Sequence, residues 1–119
     1  MRVAITTWEN RISPVADSAR EMLVVDLGGG RILRSRHEHF EDESLFERAG
    51  KLAEWTVETF ICGAISEFYS GLVEGYGIRL IPFVHGEIDE VLNAFMHNSL
   101  AGPPCDGRDY QPGARGLIQ

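Results

Sequence analysis

The chain has 119 residues, 44% of them hydrophobic and 24% charged, enough for one globular domain that needs neither disulfide nor metal staples to hold a core. Its 18 acidic against 11 basic side chains leave a net charge of −7, a field that argues against nucleic acid and anionic membrane as main partners. No stretch reads as a signal peptide or approaches the length of a membrane span, so the expected compartment is the cytoplasm. The two cysteines, Cys62 and Cys105, are expected there as free thiols or metal ligands.

The β-branched run RVAITT (2–7) predicts a first strand that stops at a polar loop, WENRISPVADS. EMLVVDL (21–27) predicts a second, the glycines 28–30 a hairpin turn, and RILRSRHEHF (31–40) the returning strand. The period then changes. Ser44 and Glu47 have capping-box spacing, and Leu45, Phe46, Ala49, Leu52 and Ala53 keep one helical face. VETFICGAI (57–65) reads as a strand covered on both faces. Ser66 can cap a second helix running to Tyr76, with Phe68, Tyr69, Leu72, Val73 and Tyr76 on its face and Gly77 just past its end. IRLIPFV (78–84) is the next strand, and Ile88, Val91, Leu92, Phe95 and Met96 mark a third, amphipathic helix. From residue 102 the chain turns rich in glycine and proline without a period, which predicts a domain over 1–101 and an irregular tail over 102–119.

The order β-β-β-α-β-α-β-α predicts an α/β domain with a mixed five-stranded sheet, its later strands parallel and joined by right-handed crossovers. In such a sheet the ligand crevice lies beyond the carboxyl ends of the parallel strands. That edge gathers the loops Trp8–Asp17, Gly63–Ser66 and His85–Glu87. Cys62 and His85 each stand just before a helix N-terminus, which suits an anion, and Asn10 and Arg11 lie in the first loop. A soft thiolate with an imidazole favours iron, copper, zinc or sulfide clusters over magnesium or calcium. The bland alternatives are a small core cysteine and a helix-capping histidine.

These pieces carry a family resemblance. RVAITT with NRISPVADSARE and LVVDL, then FICGAIS, then GIRLIPFVHGEIDEVLNAF, resemble in order and spacing the dinitrogenase iron–molybdenum cofactor biosynthesis family. GPPC at 102–105 resembles the Met-Pro-Gly-Cys-like motif of that family's tail. The resemblance implies a ribonuclease-H-like three-layer domain with helices on both faces of the sheet. It also implies a non-enzymatic carrier, scaffold or store for an iron–molybdenum or related metal–sulfide cluster, and partners that donate or accept that cluster. By this reading Cys62, His85 and Cys105 are candidate ligands, and Asn10, Arg11, Gly63, Ser66 and Gly86 form the surrounding wall. Two departures stand out: Val15 and Ala16 follow Ser13-Pro14 where many carriers have a histidine, and His85 stands where the family often has another residue.

Two cysteines cannot supply the four thiolates that protein-held iron–sulfur clusters usually take. Three arrangements remain open: mixed Cys/His ligation, a site shared between two chains of a homodimer, or a preformed cluster gripped by hydrogen bonds and helix dipoles. A nuclease is excluded on the residues, since the first strand holds no carboxylate for a two-metal centre. The alternative function is a metal-free interaction or regulatory module that docks a partner protein through the same crevice or the tail.

Overall fold

The β-branched residues of the first strand favour extended backbone. In the computed structural model, which describes residues 1–97, Arg2–Trp8 (β1) is the middle strand of a six-stranded mixed sheet. The others are Arg11–Ile12 (β2), Glu21–Gly28 (β3), Arg31–His39 (β4), Thr59–Ile61 (β5) and Arg79–Ile81 (β6). The helices are Leu45–Glu54 (α1), Glu67–Gly75 (α2) and Ile88–Met96 (α3). Along the sheet the order is β4-β3-β1-β5-β6, with β2 paired to β1 off this path. The pairings of β1 with β3 and of β3 with β4 are antiparallel, whereas β5 runs parallel to both β1 and β6.

Three expectations are corrected. The sheet has six strands, not five, because the chain turns back on itself at Glu9–Asn10 and Thr7 and Trp8 pair with Ile12 and Arg11. Glu9 takes φ 56 in that turn, and a two-residue strand is too short to show alternation. The strands predicted over 57–65 and 78–84 are regular only at Thr59–Ile61 and Arg79–Ile81. Beyond Ile61 the first run continues as buried loop at Cys62 and Gly63, where burial rather than pairing set the composition. Beyond Ile81 the second continues through half-buried Pro82 and exposed Phe83. Phe46 and Phe68, placed on helix faces by spacing, are exposed.

The hairpin between β3 and β4 turns on Gly29 and Gly30 at φ 61 and 75, the left-handed pair that a tight two-residue turn requires. A register shift between Asp26 and Leu27 leaves Leu33 as the extra residue of a bulge in β4. On one face of the sheet Ala4, Met22, Val24 and Phe60 pack with Ala49 and Leu52 of α1 and Tyr69 and Val73 of α2. Alternation puts Val3, Ile5, Val25 and Ile61 on the other face, and these too are fully buried. Residues Met1–Ile88 form one compact unit. Within α3, Val91, Leu92 and Phe95 are buried. No helix among the described residues is long and apolar enough to cross a membrane. The predicted boundary at 101–102, and the tail with Cys105, lie outside the described residues.

The capping box of α1 forms as its spacing predicts: Glu47 N–H donates to Ser44 Oγ at 3.1 Å and Ser44 N–H to Glu47 Oε1 at 2.8 Å. Its far end closes with Thr56 N–H on the Ala53 carbonyl and Val57 N–H on that of Leu52. This Schellman ending puts Thr56 at φ 55, where a β-branched residue is strained and glycine is usual. Arg2 reaches over the same end, donating to the Trp55 carbonyl and to Thr56 Oγ1. Thr56→Gly is expected to stabilise the domain by about 0.5 kcal/mol, the relieved left-handed strain outweighing the lost hydroxyl and the freer unfolded chain. A denaturant midpoint at or below that of the parent would contradict this.

Candidate functional site

Because β1, β5 and β6 are parallel, their carboxyl ends share one edge, and three loops meet there. Main-chain hydrogen bonds stitch them together. Cys62 N–H donates to the Ile81 carbonyl at 3.1 Å, Val84 N–H to that of Cys62 at 3.0 Å and Phe83 N–H to that of Gly63 at 2.9 Å. The loop after β1 joins from the other side, with Ala64 N–H on the Pro14 carbonyl at 2.9 Å and Ala16 N–H on that of Ala64 at 2.7 Å. Ile12 N–H donates to the Gly86 carbonyl and Ile88 N–H to that of Asn10, each at 3.0 Å.

Gly63 is required by closeness. A Cβ built on it would stand 2.5 Å from the carbonyl oxygens of both Ser13 and Pro14. Side chains then hold the first loop to the helices. Asp17 Oδ1 accepts from Ser66 N–H at 2.9 Å, and Ser66 Oγ accepts from Tyr69 N–H at 3.1 Å, so two residues cap the start of α2. Arg48, only 7% exposed, threads out of α1. Its guanidinium donates to the carbonyls of Glu43, Asp17 and Ala19 at 3.2, 3.3 and 2.6 Å and lies 4.9 Å over the Phe40 ring.

The predicted site residues divide by exposure. Asn10, Arg11 and His85 are exposed on this edge. Gly63 is buried, Ser66 is half-buried with both polar groups engaged, and Gly86, at φ 118, gives its carbonyl to Ile12. Cys62 has no exposure at all and belongs to the core cluster with Phe60 and Tyr69. Burial, then the nearby charge of Asp17, push its thiol pKa far up, so the sulfur stays protonated. Burial likewise raises the Tyr69 hydroxyl. Cys105 lies outside the described residues. Among the described residues no three His, Cys, Asp or Glu side chains are placed to hold a metal ion.

Sequence reasoning missed four participants. Arg48 had a visible signal, since it stands one residue before Ala49 and four before Leu52 on the apolar face of α1. Asp17 and Thr6 had none. Thr6 is the residue after Ile5, which pairs with Ile61, so it stands level with Cys62 across the strand ends. Its Oγ1 is buried without a hydrogen-bond partner among the described residues. The fourth is Phe83, 70% exposed and held at φ 62, which neither packing nor backbone preference explains. Trp8, Val15 and Phe83 are exposed apolar side chains on the same loops. At the opposite edge, where β1 starts, Arg2, Asp26, Arg34 and Glu58 line an open cleft of about 400 Å³. There the Arg2 guanidinium, 2.7 Å from Asp26, holds that carboxyl below its ordinary range.

In the native protein Cys62 is expected to resist alkylation until denaturant opens the loops, measured in a Cys105→Ser background to leave one thiol. Rapid native labelling would refute this. Because the folded thiol keeps a proton that the unfolded one loses above about pH 8.5, stability is full below that pH and falls as pH rises past it, by about 1.4 kcal/mol per unit.

No family model matches the chain, and no curated protein matches it by sequence. Solved structures match by fold. PH0822 superposes with a TM-score of 0.78 at 20% identity, over 82% of this chain and 90% of that one. A "putative dinitrogenase" from Methanocaldococcus jannaschii gives 0.71 at 18%, over 83% and 90%. A "putative NifB protein" from Thermotoga, described as belonging to the DUF35 family, gives 0.66 at 17%, over 82% and 89%. The chain thus shares its α/β fold with proteins that bear nitrogenase-related names.

Proposed function

We propose that this chain is a non-enzymatic binding protein of nitrogenase-related kind, and that its cargo is a preformed iron–molybdenum or related metal–sulfide cluster. The carrying observation is the loop edge itself: three loops locked by main-chain hydrogen bonds, with His85, Arg11 and Asn10 left exposed on them. His85 is the metal-binding side chain at this edge, and Arg11 supplies positive charge for an anionic cargo. Cys62 takes the core role, since a protonated thiol buried in the cluster with Phe60 and Tyr69 is poorly suited to ligation. A grip without a thiolate cage suits a carrier, which must release what it holds. The ribonuclease-H-like description of the fold is supported by the sheet order β4-β3-β1-β5-β6 and its change from antiparallel to parallel pairing. The nitrogenase-related names of the fold's neighbours support the choice of cargo.

The second reading, a metal-free module that docks a partner protein at this edge, is favoured by the exposed Trp8 and Phe83 there. Anaerobic loading with iron, molybdate and sulfide, then desalting, metal analysis and a visible spectrum, separates the two. The carrier reading predicts retained metal with a charge-transfer band, lost in His85→Ala and kept in Cys62→Ala. Cys105→Ala tests the tail ligand in the same way. A colourless, metal-free parent under every loading overturns it and leaves the docking reading.

A further inference from the structure

β4 is an edge strand of nine residues, and its outer row of backbone groups has no partner among the described residues. Eight of its positions are exposed and Glu38 is half-buried. The opposite edge, β6, has only three residues, a length that by itself discourages pairing. β4 also departs from the charge of the whole. In a chain of net charge −7 it carries Arg31, Arg34 and Arg36 against a single acid, Glu38.

Charge on an edge strand commonly guards it against pairing. Arginine guards selectively, however, because it repels only partners of its own sign. An antiparallel second copy centred on Ser35 would set Arg34 opposite Arg36, the like-charge arrangement that destabilises strand pairs. Past the bulge at Leu33 the strand is regular, so Arg34 and Arg36 share one face two residues apart. Arg36 already contacts Glu38 at 2.7 Å and lies 5.7 Å over the Trp55 ring, which fixes it on the α1 side of the sheet. The Arg34 side chain makes no hydrogen bond among the described residues and faces the Asp26 position across the ladder. Two cations at strand spacing beside an open hydrogen-bonding edge match an extended segment with carboxylates at alternate positions.

We propose that β4 is a strand-addition site for an acidic, extended peptide segment of a partner protein, which pairs along Arg34–His39 and sets two carboxylates opposite Arg34 and Arg36. This surface is separate from the loop edge and does not depend on what binds there.

The probe is a short capped peptide alternating glutamate with threonine and valine, titrated into the full chain at low salt. Binding is followed by backbone amide exchange and chemical shifts. Strand addition predicts that every second amide of Arg34–His39 gains protection. It also predicts weaker binding with added salt. Arg34→Glu with Arg36→Glu is expected to weaken binding at least about tenfold, as two attractive cross-strand pairs become repulsive. Circular dichroism checks the fold of that variant, and the exchange pattern of the parent decides the matter without it. A lysine-for-glutamate peptide should not bind. No protection on β4, protection elsewhere, or indifference to the charge reversal would overturn the proposal. Equal binding of a short oligouridine that displaces the peptide would also overturn it, reassigning the arginines to phosphate.

Discussion

Arg48→Ala is expected to lower stability by about 3 kcal/mol, which in a chain of this size is a fall of roughly 10 °C in Tm. The guanidinium is nearly buried and spends three donor contacts on the carbonyls of Glu43, Asp17 and Ala19. Removing it leaves those carbonyls without their donor and the Phe40 ring without the nearer of its two cations. Most of the loss should be local. The loop through Asp17 would open more often, and Cys62 should then become alkylatable without denaturant. Arg48→Met keeps much of the volume and is expected to lose nearly as much, which separates hydrogen bonding from packing. A change in Tm below about 2 °C in Arg48→Ala would show that the first loop is held by its main-chain bonds alone.

Gly63→Ala is expected to cost about 3 kcal/mol despite adding one methyl group, because the atoms it meets are backbone and cannot swing aside. The Cβ would lie 2.5 Å from two carbonyl oxygens and 2.9 Å from the Pro14 carbonyl carbon. The first loop must therefore lift from Ala64, breaking the two hydrogen bonds that join them. Gly71→Ala is the control of opposite sign: nothing lies within 4 Å of a Cβ there, and a helix interior gains about 1 kcal/mol from the exchange. Arg48→Ala and Gly63→Ala release the same loop from opposite sides. Their combination is expected to cost clearly less than the sum, and strict additivity in chemical denaturation would show two independent anchors.

Local signals carried much of the fold. Ser44 and Glu47 announced α1, Ser66 announced α2, and the glycines after β3 announced the hairpin, because each acts over three or four residues of chain. The meeting of the three loops followed from strand direction. Burial at the strand ends was not legible. FICGAIS looks like strand because Phe60, Ile61, Cys62 and Gly63 are all buried, yet only the first two lie within a regular ladder. Whether Cys62 faces a crevice or a core depends on Pro14 and Ala16 packing across Gly63 and Ala64, contacts roughly fifty residues apart in the chain, and no local pattern encodes them. Phe83 was read as one more strand residue, since a left-handed backbone at an aromatic leaves no mark in composition.

The middle position of β1 bears on how the protein is made. Its antiparallel neighbour β3 follows within a short stretch of chain, so β1, β3 and β4 can assemble as soon as they have left the ribosome. On the other side of β1, β2 meets only Thr7 and Trp8, and the Val3–Ile5 stretch waits for Thr59–Ile61. At typical synthesis rates of about 5–20 residues per second, that stretch stays unpaired for seconds. During this interval the nascent chain presents a strand rich in β-branched residues with one side bare over Val3–Ile5, a template for pairing between neighbouring chains. Chaperone demand and losses to aggregation during expression should therefore concentrate on the first half of translation, and a fragment ending before β5 should precipitate although it contains four complete strands of the sheet.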